Sequence, residues 1–408
     1  MSRSSFALLL SFAFACPAAA HPKPAPSPAA EASNRFALDL YRATSQGQEN
    51  RFFSPYSVSA ALAMTREGAK GATGAEIDKV FHFPTKLTAT HSTLREALVP
   101  RQIKEWAPEG QRKVAAYELS VANRLWGQQG VTFQAPFLRL LEQEYKAPFS
   151  RLDFKDAAGA RKVINGWVAK RTKDRIKDII KPPHPNPATV LALANAIYFK
   201  ASWKKPFPER LTAKAPFHLL GGKQVSAKLM RKVEGLGYAE DADAQVVEIG
   251  YRGGDTSMVI VVPRKRDGLP ALERGLTHAK LSGWLGALRR SDVDLRLPRF
   301  QFTTPYDLAD TLRKMGMPLA FSGKADFRGM TTEAPLFIGA VLHKAFVAVD
   351  EKGTEAAAAT VVLMQKGGKP QRSEPKAVVA DHPFLFLIRH RQSGCILFLG
   401  RLTDPTQS

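Results

Sequence analysis

Cysteine is nearly missing from this chain: two residues, Cys16 and Cys395, stand in 408. Cys16 lies in a leader that processing removes, so the mature chain keeps one thiol and forms no internal disulfide. Stability must come from the core itself. Cys395 sits in Cys395-Ile396-Leu397-Phe398-Leu399, a buried-strand pattern in which a small packed apolar residue is the expected role. Acidic residues are also scarce. Asp and Glu number 37 against 59 Lys and Arg, leaving a net charge of +22. That balance favours soft binding to polyanions and carries no information about fold or about sequence-specific nucleic-acid recognition. Past the leader, no apolar run approaches the roughly 20 residues of a membrane-spanning helix. Enzyme signatures are missing too: there is no GxSxG elbow, HExxH, Walker loop or paired CxxC. Ser202-Trp203-Lys204-Lys205 matches SxxK without its companion motifs, and Gly68, Gly71 and Gly74 punctuate turns without forming a dinucleotide fingerprint. Nine histidines are scattered without metal-ligand spacing. No cofactor or metal site is legible, and no nucleophile–base set can be assembled, so the chain reads as something other than an enzyme.

What is present is a large apolar content, 44%, with 24% charged residues, enough for a sizeable core. Residues 1–20 read as an export signal: Arg3 gives a positive start, Phe6 to Ala15 an apolar stretch, and Ala18-Ala19-Ala20 a small-residue cleavage pattern. The expected location is secreted and extracellular. The periplasm, or a lipid anchor on Cys16, are the competing readings of the same leader. Residues 21–33, rich in Pro and Ala, read as a tether, and residues 34–408 as one domain. Helical periodicity marks Ala32 to Ala43, Ser57 to Thr65, Ala135 to Tyr145 and Ala160 to Ile180, with another helix start near Gly74. Strand-like runs include Ser120 to Leu125, Val190 to Phe199, Gln245 to Ile249, Met258 to Val262, Val293 to Leu297, Phe337 to Val349, Phe384 to Arg389 and Cys395 to Gly400. Helices dominate the first half and strands the second, which predicts an α+β domain.

One segment lacks a routine structural reading: Glu351-Lys352-Gly353-Thr354-Glu355-Ala356-Ala357-Ala358-Ala359-Thr360-Val361-Val362-Leu363-Met364-Gln365. Alanine favours helix, yet Thr360-Val361-Val362 favours strand. With period two, Thr354, Ala356, Ala358, Thr360, Val362 and Met364 share a face that carries no charge and mostly small side chains. No proline falls between Glu351 and Lys369, so every amide there could join a sheet ladder. A stretch able to live both as an exposed loop and as an inner strand is what loop insertion demands.

The run Glu351 to Thr360 resembles the hinge of inhibitory serpins, a family of serine-protease inhibitors. Other blocks agree in the family's order from about residue 34 to 405. They are Phe53-Ser54-Pro55-Tyr56-Ser57-Val58, Asn165-Gly166-Trp167-Val168 through Ile180, and Leu193-Ala194-Asn195-Ala196-Ile197-Tyr198-Phe199-Lys200 followed by Trp203 and Phe207. Tyr306-Asp307-Leu308, Met315-Gly316-Met317, Ala325-Asp326-Phe327, His382-Pro383-Phe384 and Gly400-Arg401-Leu402-Thr403-Asp404-Pro405 complete the set.

The resemblance implies a serpin fold of three β-sheets surrounded by about nine helices, with a reactive loop over about residues 351–380 near the C-terminus. It implies a suicide inhibitor of serine endopeptidases, acting as a monomer, whose cleaved loop inserts into the central sheet. A non-inhibitory serpin that acts as a binding, chaperone or polyanion-binding protein is the alternative. The implied hinge is Glu351, Gly353, Thr354, Glu355, Ala356, Ala357, Ala358, Ala359 and Thr360. The implied sheet-opening cluster is Ser54, Ser57, Asn195 and His343, with Trp203 at the top of the sheet where insertion begins. Family spacing places the cut at Gly367-Gly368 or, one residue earlier, at Lys366-Gly367; register from the far end moves it toward Lys369 or Arg372. Lys366, Lys369, Arg372 and Lys376 lean toward a trypsin-like target, and Met364 toward a subtilisin- or elastase-like one. Arg95, Arg101, Lys104, Arg112 and Lys113, and separately Arg289 and Arg290, are the candidate polyanion contacts.

Overall fold

The computed structural model describes residues 26–107, 110–355 and 374–407. Among them are nine α-helices: α1 (Pro28–Thr44), α2 (Pro55–Gly68), α3 (Gly71–Phe81), α4 (Leu87–Ala97), α5 (Ala135–Gln143), α6 (Ala157–Arg171), α7 (Leu269–Arg274), α8 (His278–Ala287) and α9 (Ala309–Met315). The first helix begins inside the stretch expected to be a tether. Ser27 caps it by accepting from the Ala30 amide, Pro28 suits the first turn, and Ala29, Ala30 and Ala32 are buried. Residues 28–33 therefore belong to the domain, and the Pro/Ala composition there is that of a helix start. The helix expected from Ala160 to Ile180 also stops early. After Arg171 the chain enters the left-handed region at Lys173 (φ 51°) and Asp174 (φ 61°), and Thr172 ties the corner by accepting from the Ile176 amide. Ile176, Ile179 and Ile180 are nonetheless buried, so the apolar spacing marked a core without marking a helix.

Strands form three sheets. The largest has nine strands: β1 (Arg51–Phe53), β17 (Ile396–Leu402), β16 (Phe384–His390), β10 (Thr256–Pro263), β9 (Ala244–Gly250), β8 (Gln224–Glu240), β11 (Arg289–Pro298) and β15 (Lys376–Val379) in order, with β7 (Ala213–His218) also on β8. β10, β16 and β17 are buried at every residue. Their continuous apolar runs are what a sheet covered on both faces requires. The tight corner between β16 and β17 places Gly394 at φ 69°, a left-handed conformation glycine adopts freely.

The six-stranded sheet runs β12 (Phe300–Asp307), β13 (Leu342–Val349), β14 (Gly353–Thr354), β6 (Leu191–Ser202), β4 (Glu118–Gln128) and β5 (Ser150–Leu152). β2 (Gln102–Ala107) and β3 (Gly110–Ala115) make a separate hairpin. The run expected as one strand from Phe337 begins pairing only at Leu342, and Phe337 is exposed. The sheet is a middle layer. One face packs Trp126, Ala194 and Ala196 on Ile164 and Val168 of α6. The other packs Ile197, Phe199 and Ala201 on Phe386 and Phe398 of the nine-stranded sheet. α2 lies beneath, its Val58, Leu62 and Met64 sharing a core with Leu125, Val259 and Leu387.

Candidate functional site: a half-filled strand slot

β6 and β13 run parallel and pair directly over only one stretch, Leu342–Ala345 against Ala194–Ile197. Beyond it they part, and the gap is filled by β14. Gly353 pairs Ser202, and Thr354 pairs Ala201 on one side and Val349 on the other. The turn leading in is set by Asp350, whose carboxylate accepts from the amides of Lys352 (2.8 Å) and Gly353 (3.1 Å). The reactive-loop reading of 351–380 is thereby shortened at both ends. Gly353–Thr354 is sheet, and so is Lys376–Val379, which pairs in parallel with β11 and buries Val378. A four-residue strand with two valines is too short to stand out by alternation. Ala356, Ala357, Ala358, Ala359, Thr360, Lys366, Gly367 and Gly368 lie outside the described residues.

Aromatic and charged groups clasp the seated hinge. The buried Thr354 hydroxyl lies 2.6 Å from that of Tyr251, and Tyr251 stacks on Trp203 with ring centroids 4.6 Å apart. The Trp203 indole N–H donates to the Asp350 carbonyl at 2.9 Å, and its backbone N–H to Lys352. Glu351 is 2% exposed, yet its carboxylate takes a bond from Arg299 at 2.7 Å and another from Thr212. Burial pushes that carboxyl up, but Arg299 and Thr212 outweigh it and the net shift is down. At Glu355 the chain leaves the slot. Its amide still donates to Ala348 at 2.9 Å, but its backbone is left-handed (φ 51°). That conformation costs a residue with a Cβ about 1–2 kcal/mol. Its side chain pairs with Arg175, and burial raises its pKa.

At the closed end of the seam, His343 and Asn195 face each other as register partners. The Ser54 amide donates to His343 Nε2 at 3.1 Å, so the ring proton resides on Nδ1, which donates to Asn195 Oδ1 at 2.6 Å. The Asn195 amide group donates onward to the Ser57 carbonyl and hydroxyl, each at 2.7 Å, and to Asn123. Ser54 caps α2 by accepting from the Ser57 amide at 3.1 Å and donates to the Leu397 carbonyl at 2.6 Å. Desolvation lowers the His343 pKa to about 3, so the ring is neutral at physiological pH. Four of the residues singled out from sequence thus form one buried network that ties β6, β13 and β17 to the start of α2. Trp203 stands apart from it, at the far end of β6.

Sequence reasoning missed Asn123, Tyr251, Arg299 and Arg175. Asn123 carried a signal: it breaks the alternation of Val121 and Leu125 with a polar side chain. The rest needed the fold. Among the candidate polyanion contacts, Arg101 pairs with Asp255, Arg112 with Glu105 and Arg95 with Glu96, while Lys104 faces Lys113 across a hairpin. Cys395 is fully buried, and burial pushes its thiol pKa up. No cluster of three or more His, Cys, Asp or Glu that could hold a metal occurs among the described residues. No helix among them is long and apolar enough to cross a membrane.

A sheet parted to receive a short hinge strand, with a buried histidine closing the rest of its seam, is the architecture of a serpin fold. Comparison with known proteins agrees. The family described as Serpin (serine protease inhibitor) matches residues 31–405. Human Serpin B3 is 40% identical over 387 residues, covering 92% of this chain and 99% of that protein. The leukocyte elastase inhibitor of Sus scrofa is 39% identical over 385 residues, covering 92% and 98%. Among solved structures, Serpin48, described as a highly specific serpin in the insect Tenebrio molitor, superposes with a TM-score of 0.81 at 29% identity, covering 92% and 98%. The chain belongs to the serpin family.

Proposed function

We propose that this protein is an irreversible suicide inhibitor of serine-type endopeptidases and is consumed by one reaction, without turnover. The observation that carries the reading is Thr354 seated between Ala201 and Val349 in a slot that is open on one end and closed by side chains on the other. A target protease attacks the loop beyond Glu355. Its serine forms an ester with the residue before the cut, the peptide C–N bond breaks, and the amine side leaves. The hinge side is then free to continue down the slot.

The register already formed supports a path for it. Extending the Gly353–Ser202 and Thr354–Ala201 pairs puts Ala356 opposite Phe199, Ala358 opposite Ile197 and Thr360 opposite Asn195. Extending Thr354–Val349 puts Thr360 opposite His343. The arriving strand replaces the direct β6–β13 pairs and passes between the two side chains that hold them. Thr360 then brings a hydroxyl to the face where Asn195 and His343 lose each other. Small side chains are required because this face adjoins the core of Ile197, Phe199 and Phe398. About ten new ladder bonds at ~0.5–1.5 kcal/mol each contribute ~5–15 kcal/mol, comparable to the stability of a whole domain. The left-handed turn at Glu355 relaxes as well. The resting fold is therefore metastable, and the gain on insertion drives the trap.

A trypsin-like protease is the favoured target, since Lys366, Lys369 and Arg372 offer side chains to an acidic specificity pocket; Lys376, in β15 and paired with Glu240, does not. The cut falls at Lys366-Gly367, at Gly367-Gly368 or further downstream, after Lys369 or Arg372. Residues 1–20 support export, and with it an extracellular target. The test is to mix the mature protein with trypsin, look for a complex that survives boiling in SDS, and map the cut by mass spectrometry. A stable band and a cut at one of these bonds, with a large rise in melting temperature of the cut protein, is the expected result. Clean cleavage with neither complex nor gain in stability overturns the reading.

A further inference from the structure

The β2–β3 hairpin pairs with no other strand among the described residues. A two-stranded hairpin is marginal by itself in water, so its position is set by what it packs on. That is the turn between β9 and β10. The hairpin's base is closed by the Ala116 amide, which donates to the Arg101 carbonyl at 2.9 Å. From there Arg101 donates to the buried Asp255 carboxylate at 2.7 Å and to the Gly253 carbonyl. Further along, the Glu105 carboxylate accepts from Arg252 and, at 3.0 Å, from Arg112. The bond from Arg252 holds the Glu105 carboxyl below its usual range, so the pair is charged at neutral pH. Gly253 lies so near the hairpin base that a Cβ on it would come within 2.6 Å of Ala116.

The turn needs this outside hold. Gly253 (φ 84°) and Gly254 (φ 81°) are consecutive left-handed glycines, and glycine loses more conformational freedom on ordering than any other residue. Immediately before Arg252 stands Tyr251, which stacks on Trp203 and meets the Thr354 hydroxyl. The Arg252 amide donates to the Ser202 carbonyl at the end of β6, at 2.8 Å. A displacement of the turn therefore moves the clasp on the hinge. We propose that the hairpin is a strap for the hinge: Glu105 and Arg101 are positioning residues that fix the 251–255 turn and thereby keep Thr354 seated between β6 and β13. A seated hinge starts insertion from a register already formed, so the strap favours trapping over release of the cut loop, a consequence that rests on the inhibitor reading above.

Hydrogen exchange of the resting protein, read by mass spectrometry with no protease present, tests the strap. Two variants are compared with the parent chain: Glu105→Ala, and a deletion of residues 102–115 that joins Arg101 to Ala116 through a pair of glycines. Exchange at the Trp203 amide, which donates to Lys352, and at the Glu355 amide, which donates to Ala348, should quicken about tenfold. The amides of the β10–β16 seam should be unchanged. Thermal melts establish that each variant is folded; if one is not, the other answers the same question. Unchanged exchange at Trp203 and Glu355 in a folded variant overturns the strap, and so does equal quickening in β10 and β16, which would be a general loosening. With trypsin, the variants should consume more molecules per protease trapped. A parent chain that traps nothing strikes the inhibitor reading and leaves the exchange result standing, whereas a trapping parent and variants of equal stoichiometry overturn the role of the strap in trapping.

Discussion

The two large sheets differ in how their strands are closed. In the nine-stranded sheet every neighbour from β1 to β11 is antiparallel, and β10 alone pairs six residues with β16 and seven with β9. The side chains along that seam, Met258, Val259, Ile260, Val261, Leu385, Phe386 and Leu387, are apolar and buried. In the six-stranded sheet β6 and β13 are parallel, share four direct pairs, and are held from beneath by His343 and Asn195. An apolar seam is stabilised by area, and opening it exposes that area all at once. A polar seam is stabilised by directional bonds whose partners can be exchanged for those of an incoming strand. The proposed insertion would therefore open the molecule at the polar seam.

Thr354→Arg should break the contrast most severely. A guanidinium in place of a hydroxyl beside Tyr251 would have to be buried unpaired. Covalent trapping should be lost altogether and the loop cleaved as a substrate. Trypsin complexes resolved on an SDS gel report this directly, and a variant that still traps would show that insertion does not pass through this slot.

Arg299→Leu comes next. It leaves the buried Glu351 carboxylate without its cation, at a cost of about 3–5 kcal/mol. The first urea unfolding transition should move down accordingly. An unchanged midpoint would mean that Glu351 is solvated and does not anchor the hinge.

His343→Gln should act on the closed end of the seam. Losing its two bonds should cost about 1–3 kcal/mol and speed spontaneous loop insertion, followed by the loss of inhibitory activity on incubation. The pH dependence sharpens this test. The folded-state pKa is depressed from 6.5 to about 3, so the unfolded chain binds the extra proton between those values. Stability should fall as pH falls through that window, by about 1.4 kcal/mol per pH unit for this one group. The variant should lack that share of the slope; His91, whose pKa burial also lowers, contributes in the same direction to both proteins. Equal slopes would remove His343 from the neutral, buried role assigned to it.

Ile260→Val in the apolar seam should have the smallest effect on trapping. It should lower the unfolding free energy measured in urea by about 0.5–1.5 kcal/mol and leave the number of inhibitor molecules consumed per protease unchanged. A changed stoichiometry would show that the nine-stranded sheet also takes part in insertion.

Much of this was legible along the chain because it is local. The continuous apolar runs of β10, β16 and β17 announce strands covered on both faces. The periodicity from Ser57 to Thr65 announces the body of α2, whose start at Pro55 is set by the Ser54 cap. Of the small-sided stretch read as able to lie between strands, Thr354 is seated there, while Ala356 to Thr360 lie outside the described residues. Positions where local signals misled are also instructive. Ile176 and Ile180 keep helical spacing across a corner made by two left-handed residues, and Pro28 to Ser33 look like a tether while forming a capped first turn.

The sequence by itself determined the class of the fold and, through its resemblance to the family, four of the residues that meet beneath the sheet, Ser54, Ser57, Asn195 and His343. The tertiary structure alone decided how far the hinge is seated, which ring nitrogen of His343 carries the proton, that Glu351 is neutralised by Arg299, and that Glu105 meets Arg252 beside the hinge clasp. These depend on contacts between residues separated by up to 289 positions, as between Ser54 and His343. No periodicity reports such a contact, because its partners are chosen by the packing of whole sheets and helices and not by neighbours along the chain.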